Sequence, residues 1–373
     1  MEKNNTIDAF FAILRAGLWE RDVSLSEFGK IDYDTILQLA EEQAVVGIIT
    51  AGFKHVKDVI PPQDFFLKLL GQTLLIEQRN KGMNLFIGNI VERMRENGIC
   101  SILLKGQGVA QCYERPLWRL SGDIDLFFDD SNYNSAKKLL LPLATNVEKE
   151  YAYSKHLGLT IDGWEVELHG TLHCELWKGI DDVLNEVQSG AFDSRDDRIW
   201  MNGYTQIPLL RADEDVVYIF SHIFQHFFKG GMGLRQVCDW CRLLWVYMEK
   251  LSHKLLVSWI RKAGLMSEWK ALGAFAVEYL GMPVEAMPLY SPETKWKQKA
   301  AKILVNLIRS GNMGHNMDPS FRNDLCFLKR KILRLGYVTV YAMRNGSIFP
   351  ADSIKVWWNE IKSGLRTLLM KEW

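Results

Sequence analysis

The sequence predicts an α+β chain in which a strand-bearing core sits between two helical lobes, and three observations predict it. Through residues 6–95 the apolar side chains recur at helical spacing. From Ile99 the period shortens to that of strands broken by glycine, with an Asp162-Gly163 pair between two alternating runs. Beyond about residue 205 the helical period returns. The expected domains are therefore 1–95, 96–205 and 206–373, and 373 residues are enough for two or three units at roughly 100–200 residues each.

In the first lobe, Ile7, Phe10, Phe11, Leu14 and Leu18 share one helix face, and Ile36, Leu37, Leu39 and Ala40 another. Pro61 and Pro62 precede a long amphipathic pattern from Leu67 to Arg95, which Asn97 and Gly98 should end. The core then opens with Ile102–Leu104 as a short buried strand. Gly106 and Gly108 break it, and Val109–Tyr113 can open a helix. Glycines at such a turn let backbone N–H groups approach a phosphate, and Lys105 would add a cation beside it.

The next strand, 123–128, carries the most telling pattern. Successive side chains point to opposite faces, so Asp123 and Asp125 share one face while Ile124, Leu126 and Phe128 share the other. Two carboxylates about 7 Å apart along a strand repel, and a hard divalent ion bound through oxygen relieves the repulsion. A helix opened by Ser131 should follow. Tyr151–Ile161 and Trp164–His169 then form a hairpin whose second arm puts Glu165, Glu167 and His169 opposite Val166 and Leu168. A third carboxylate thus lies on a nearby strand, and alternation leaves Glu165 and Glu167 both open.

In the last lobe Asp213 is the expected N-cap of a helix through His222 and His226, GGMG at 230–233 a connection, and Leu234–Met248 the next helix. His222 and His226 share a face, as do Arg235 and Asp239, and polar pairs on helices that otherwise bury aromatics need each other or a ligand. An Arg235–Asp239 ion pair is one outcome. His222, His226, Cys238 and Cys241 also admit a four-ligand zinc site, but the order of the spacing is unusual for one, and core histidines and cysteines in helices rich in Phe, Leu and Trp explain them equally well. Residues 254–373 read as helices punctuated by Pro283, Pro288, Pro292, Pro319 and Pro350. Within them KRKILR, 329–334, reads as a solvated face rather than a membrane-surface helix, with Leu325, Phe327, Leu328, Ile332 and Leu333 on its buried side.

Lys+Arg and Asp+Glu balance at 45 each, which argues against a broad nucleic-acid-binding surface. No run of about 18 apolar residues and no N-terminal targeting pattern is present, so no membrane span is expected. Six scattered cysteines fit a reducing compartment, and a cytoplasmic location is the expectation.

LLKG at 103–106, Tyr113, Pro116, Arg119, GDIDL at 122–126, VELHG at 166–170, HIFQHF at 222–227 and LRQVCDW at 234–240 together resemble the uncharacterised nucleotidyltransferase family. That family is a branch of the polymerase-β-like nucleotidyltransferase superfamily, and the resemblance covers residues from about 85 to 245. It implies a nucleotidyltransferase-like mixed sheet and transfer of a nucleoside monophosphate from an NTP to an unidentified acceptor. It favours Glu167 as the third carboxylate, with Mg²⁺ or Mn²⁺ held by Asp123, Asp125 and Glu167. Lys105, Gly106, Gly108, Arg119 and Gly122 would contact the nucleotide, Arg119 by a bidentate grip on phosphate, with Arg115 and Lys155 as further cations. His169, His222, His226, Arg235 and Asp239 would line the acceptor pocket, because the resemblance sets the helical region against the nucleotide cleft. Lys105-Gly106 stands where the superfamily has Gly-Gly or Gly-Ser, so its phosphate-contacting serine is missing. Two other classes fit a D-x-D. One is a sugar-nucleotide glycosyltransferase, which would need an α/β half of about 100 residues before the aspartates. The other is a catalytically silent nucleotidyltransferase fold that only binds.

Overall fold

The computed structural model describes residues 5–150, 155–192, 198–311 and 327–369, and among them one seven-stranded mixed sheet is flanked by helices on both faces. The first lobe is α1 (Asn5–Trp19), α2 (Tyr33–Glu42), α3 (Val46–Phe53) and α4 (Gln63–Glu96). Asp32 caps α2 by accepting from the Asp34 and Thr35 N–H groups. α4 runs 34 residues to an Asn97 cap, and Gly98 at φ +70° turns the chain into the sheet. Among the described residues the elements before the first strand are helices, joined by loops with one isolated Val23–Val56 bridge, so no α/β half precedes the aspartates there and the glycosyltransferase alternative loses its nucleotide-binding region.

The sheet comprises β1 (Ile102–Leu104), β2 (Ile124–Phe127), β3 (Asn146–Val147), β4 (His156–Ile161), β5 (Trp164–His169), β6 (Arg198–Asn202) and β7 (Thr205–Leu209), in the order β3-β4-β5-β2-β1-β7-β6. β2 is antiparallel to β1 and parallel to β5. The β4–β5 hairpin forms on Asp162 (φ +51°) and Gly163 (φ +82°), the two left-handed positions that Asp-Gly accepts at least cost. Its register runs from Ile161 opposite Trp164 to His156 opposite His169. Of the expected strand Tyr151–Ile161, residues 151–154 lie outside the described residues. The β6–β7 hairpin turns on Gly203 and Tyr204 and carries the sheet on to Leu209.

Helices α5 (Gly106–Ala110), α6 (Asp130–Leu140) and α7 (Lys178–Gly190) connect the strands. α5 stops at Ala110 instead of reaching Tyr113, so its N-terminus carries little macrodipole for a phosphate. The cap of α6 is Asp129, not Ser131: Asp129 accepts the Asn132 N–H, and the Ser131 hydroxyl donates to the same carboxylate. The last lobe begins with α8 (Ala212–Lys229), capped by Arg211 with Glu214 instead of Asp213, whose carboxylate accepts the Ser252 N–H. It continues through α9 (Leu234–Tyr247), α10 (His253–Ala263), α11 (Met266–Glu278), α12 (Thr294–Ser310), α13 (Phe327–Gly346) and α14 (Pro350–Leu369). KRKILR lies in α13. Leu333, expected on the buried side, is exposed there, while Leu325, Pro319 and the side chains of Phe327, Leu328 and Ile332 lie outside the described set. No helix among the described residues is long and apolar enough to cross a membrane.

The pleat divides the core in two. Leu103, Ile124, Leu126, Phe128, Val166 and Leu168 face Met83, Ile87 and Val91 of α4 and Tyr133 and Leu140 of α6. On the other face Ile102, Leu104 and Phe127 join the α8–α9 core around Phe220 and Trp240. Asp125, Glu167 and His169 share that second face, and α8 lies across it.

Candidate metal and nucleotide site

Register brings the carboxylates together. Asp125 on β2 lies opposite Leu104 on β1 and level with Glu167 on β5, while Asp123 sits one residue before β2 on the same face. Carboxylate oxygens of Asp123, Asp125 and Glu167 all lie within 4.8 Å of one another. Glu165, which alternation could not separate from Glu167, is exposed and pairs with Thr160 at the far end of the hairpin.

Basic groups partly balance this charge. Lys105 Nζ is 3.0 Å from Asp125 Oδ1 and 3.4 Å from His222 Nε2. His169 Nε2 is 2.9 Å from Asp125 Oδ1 and 3.3 Å from Glu167 Oε2, and His156 Nε2 is 3.1 Å from that same Glu167 oxygen. Repulsion from Asp125, then burial, raises the Asp123 carboxyl above its ordinary range. Burial would raise Glu167 too, but hydrogen bonds from His156 and His169 hold it well below. Burial works against the His169 cation and is outweighed by the bonds to Asp125 and Glu167, which push His169 up to about 9. Lys105 is raised in the same way, Asp125 overcoming burial. Three carboxylates thus face two firm cations, Lys105 and His169. An all-oxygen donor set with a surplus of negative charge fits a hard divalent ion such as Mg²⁺.

The remaining expected residues divide. Lys105, at φ +49°, ψ −137°, occupies backbone space nearly reserved for glycine, and its amine reaches back to Asp125. Gly106 continues the turn at φ +39°. A Cβ on Gly108 would fall 2.7 Å from Leu209 Cδ2, so α5 packs closely on β7 at this glycine. Gly122 is exposed, and its carbonyl accepts from Arg79 Nη2 at 3.1 Å.

Arg119 is no free phosphate clamp either. Its guanidinium forks onto Asp239, Nε to Oδ1 at 3.1 Å and Nη2 to Oδ2 at 2.5 Å, while Nη1 donates to Ser121 Oγ at 2.8 Å. Tyr113 completes the group by donating to Asp239 Oδ1 at 2.8 Å. The Arg235–Asp239 pair is therefore not formed: Asp239 is taken by Arg119, 120 positions away, and Arg235 donates to the Leu120 carbonyl. Burial, then the Arg119 charge, brings Arg235 down to about 10. Arg115 lies 4.7 Å over the Trp118 ring, and Lys155 pairs with Asp130 at 2.6 Å.

His222 and His226 do face the carboxylate side, their Nε2 atoms 2.9 Å apart. Burial, then the Lys105 charge, keeps His222 well below its ordinary value and brings His226 down to about 4, so both imidazoles are neutral at pH 7. Cys238 and Cys241 are fully buried in the α8–α9 core, and among the described residues they join no converging donor group, in line with the core reading.

Sequence reasoning passed over several neighbours. Asn80 donates to the Leu117 and Arg119 carbonyls at 2.9 and 2.8 Å, and Gln107 bridges Asn80 and Ser121, so α4 and α5 fix the loop that delivers Asp123. Tyr218 of α8 lies buried beside Lys105. His156 was legible in principle: counting back from the Asp162-Gly163 turn puts it directly opposite His169.

A family model described as an uncharacterised nucleotidyltransferase matches residues 29–281, about two thirds of the chain, and the chain belongs to that family. The match runs from the loop before α2 through α11 and so contains the whole sheet and every residue of the site. No curated protein matches the chain significantly.

Proposed function

We propose, from membership in this family, that the protein is a metal-dependent nucleotidyltransferase moving a nucleoside monophosphate from an NTP to a hydroxyl or similar acceptor. The observation that carries this is the convergence of Asp123, Asp125 and Glu167 within 4.8 Å on the face of the sheet that α8 covers. Magnesium or manganese held by these oxygens would supply charge to the triphosphate, lower the pKa of the acceptor and stabilise the departing pyrophosphate.

The chain's own groups prepare that chemistry. Lys105 keeps a positive charge beside Asp125, where a γ- or β-phosphate could draw it away from the carboxylate. His222 and His226, neutral and next to Lys105, would supply uncharged polar atoms on the acceptor side. Arg119, held by Asp239, donates to Ser121 and so braces the approach to β2.

The test is release of pyrophosphate from each NTP in Mg²⁺ or Mn²⁺, with small hydroxyl compounds and whole-cell protein or RNA as acceptors. The wild type should release it, and Asp125→Asn should not. One observation favours a silent, binding-only fold: Lys105 Nζ stands 3.0 Å from Asp125 Oδ1, already acting as a counter-ion. NTP binding without pyrophosphate release under any of these conditions would establish that reading instead.

A further inference from the structure

We infer that His156, Glu167 and His169 form a second metal site, one that takes a first-row transition ion such as Zn²⁺ and shares Glu167 with the all-oxygen site. The inference goes beyond nucleotidyl transfer, since its donors follow from the β4–β5 hairpin alone.

Glu167 and His169 are two residues apart on β5 and therefore project from the same face. The two-residue turn fixes the register so that His156 on β4 lies directly opposite His169, with their ring centroids 4.8 Å apart. His156 Nε2 and His169 Nε2 converge on one oxygen, Glu167 Oε2, at 3.1 and 3.3 Å. One donor atom from each of the three residues lies within 4.8 Å of the other two. A tetrahedral zinc with bonds of about 2.0–2.1 Å keeps adjacent donors about 3.3 Å apart, so two of the three edges already have the required length.

Donor chemistry separates the two sites. Carboxylate oxygens alone suit Mg²⁺, whereas imidazole nitrogens with one carboxylate suit zinc and its neighbours. Three protein ligands also leave a fourth position for water or a substrate atom. His169 Nε2 lies 2.9 Å from Asp125 Oδ1, so an ion at the histidines would stand next to one held by Asp123 and Asp125, with Glu167 between them. Simple hydrogen bonding of two imidazoles to one carboxylate is the structural alternative, and it predicts no metal affinity.

Calorimetric titration of the full chain with Zn²⁺ in excess Mg²⁺ tests this directly. One zinc per chain is expected. His156→Ala should lower its affinity by more than the ~10–100-fold typical of losing an outer-shell partner, and His156→Gln should do the same if alanine disturbs the fold. X-ray absorption of the wild-type zinc complex should show two imidazole ligands and no sulfur. Absence of zinc binding, zinc retained at full affinity by both His156 variants, or sulfur ligation would overturn the inference. Mg²⁺-dependent NTP binding is read separately: its failure with zinc binding intact would sink the nucleotidyltransferase reading and leave the zinc site standing.

Discussion

Two charge clusters flank the Ser121–Gly122 turn, built from much the same residue types, and they end in opposite states. Around Asp239 the carboxylate is gripped by the Arg119 fork and the Tyr113 hydroxyl, and both Arg119 and Asp239 are only about 5% exposed. Around Asp125 three carboxylates meet two firm cations, and Asp123 and Glu167 keep a half-buried opening. A desolvated cluster whose carboxylate is fully bonded holds loops in place, whereas one that leaves acceptors in excess at an opening has the electrostatics of a ligand site. The difference lies in the charge balance and exposure of each cluster, not in how acidic it is.

The largest effect that could break this contrast is on stability. Asp239→Ala strands a buried guanidinium and should cost about 3–5 kcal/mol by chemical denaturation. A loss near zero would mean that the closed cluster is not structural. Glu268 on α11 offers an internal standard for a buried acid: it is fully buried and paired with a second carboxyl, Asp352. Burial, then the neighbouring Asp352 on α14, pushes its carboxyl up to about 8. A folded value above the unfolded one means the contribution is complete below about pH 4.5 and is lost as pH rises through about 8. The unfolding free energy should therefore fall by on the order of a few kcal/mol over that window. Glu268→Gln should flatten the slope.

Smaller changes are expected at the open cluster. Asp123→Asn relieves repulsion from Asp125, so the unfolding free energy should stay level or rise, by about 1 kcal/mol or less, while Mg²⁺-dependent nucleotide binding is lost. A large drop in stability would place Asp123 in the closed class instead. Gly108→Ala sharpens the boundary of the site. The added methyl meets the end of the Leu209 side chain, so a cost of about 1 kcal/mol with unchanged nucleotide affinity is expected. Weakened NTP binding at undiminished stability would return Gly108 to the phosphate cradle.

Much of this was legible from local pattern. The D-x-D alternation put Asp123 and Asp125 on one face, and the Asp-Gly turn gave the hairpin that carries Glu167, because both depend on neighbours a few residues apart. The β6–β7 hairpin was missed: Ile199 and Met201 are exposed apolar residues where a strand would show polar ones, and Pro208 argues against a strand. The partner of Arg119 could not be read at all. Asp239 is 120 positions away, and only the packing of α9 beneath the 116–122 loop selects it over Arg235. The turn was read over Lys105–Gly108, but Gly108 lies inside α5, and what Lys105 meets is set by β2 while the space beside Gly108 is set by β7.

The proposed role of the open cluster is to hold a metal-bound nucleotide. Calorimetric titration of wild type and Asp125→Asn with non-hydrolysable NTP analogues, each in Mg²⁺ and in EDTA, tests it most directly. At least one analogue should bind the wild type in Mg²⁺, EDTA should abolish the binding, and Asp125→Asn should show none while remaining folded. Equal affinity in EDTA, or undiminished affinity in Asp125→Asn, would contradict it.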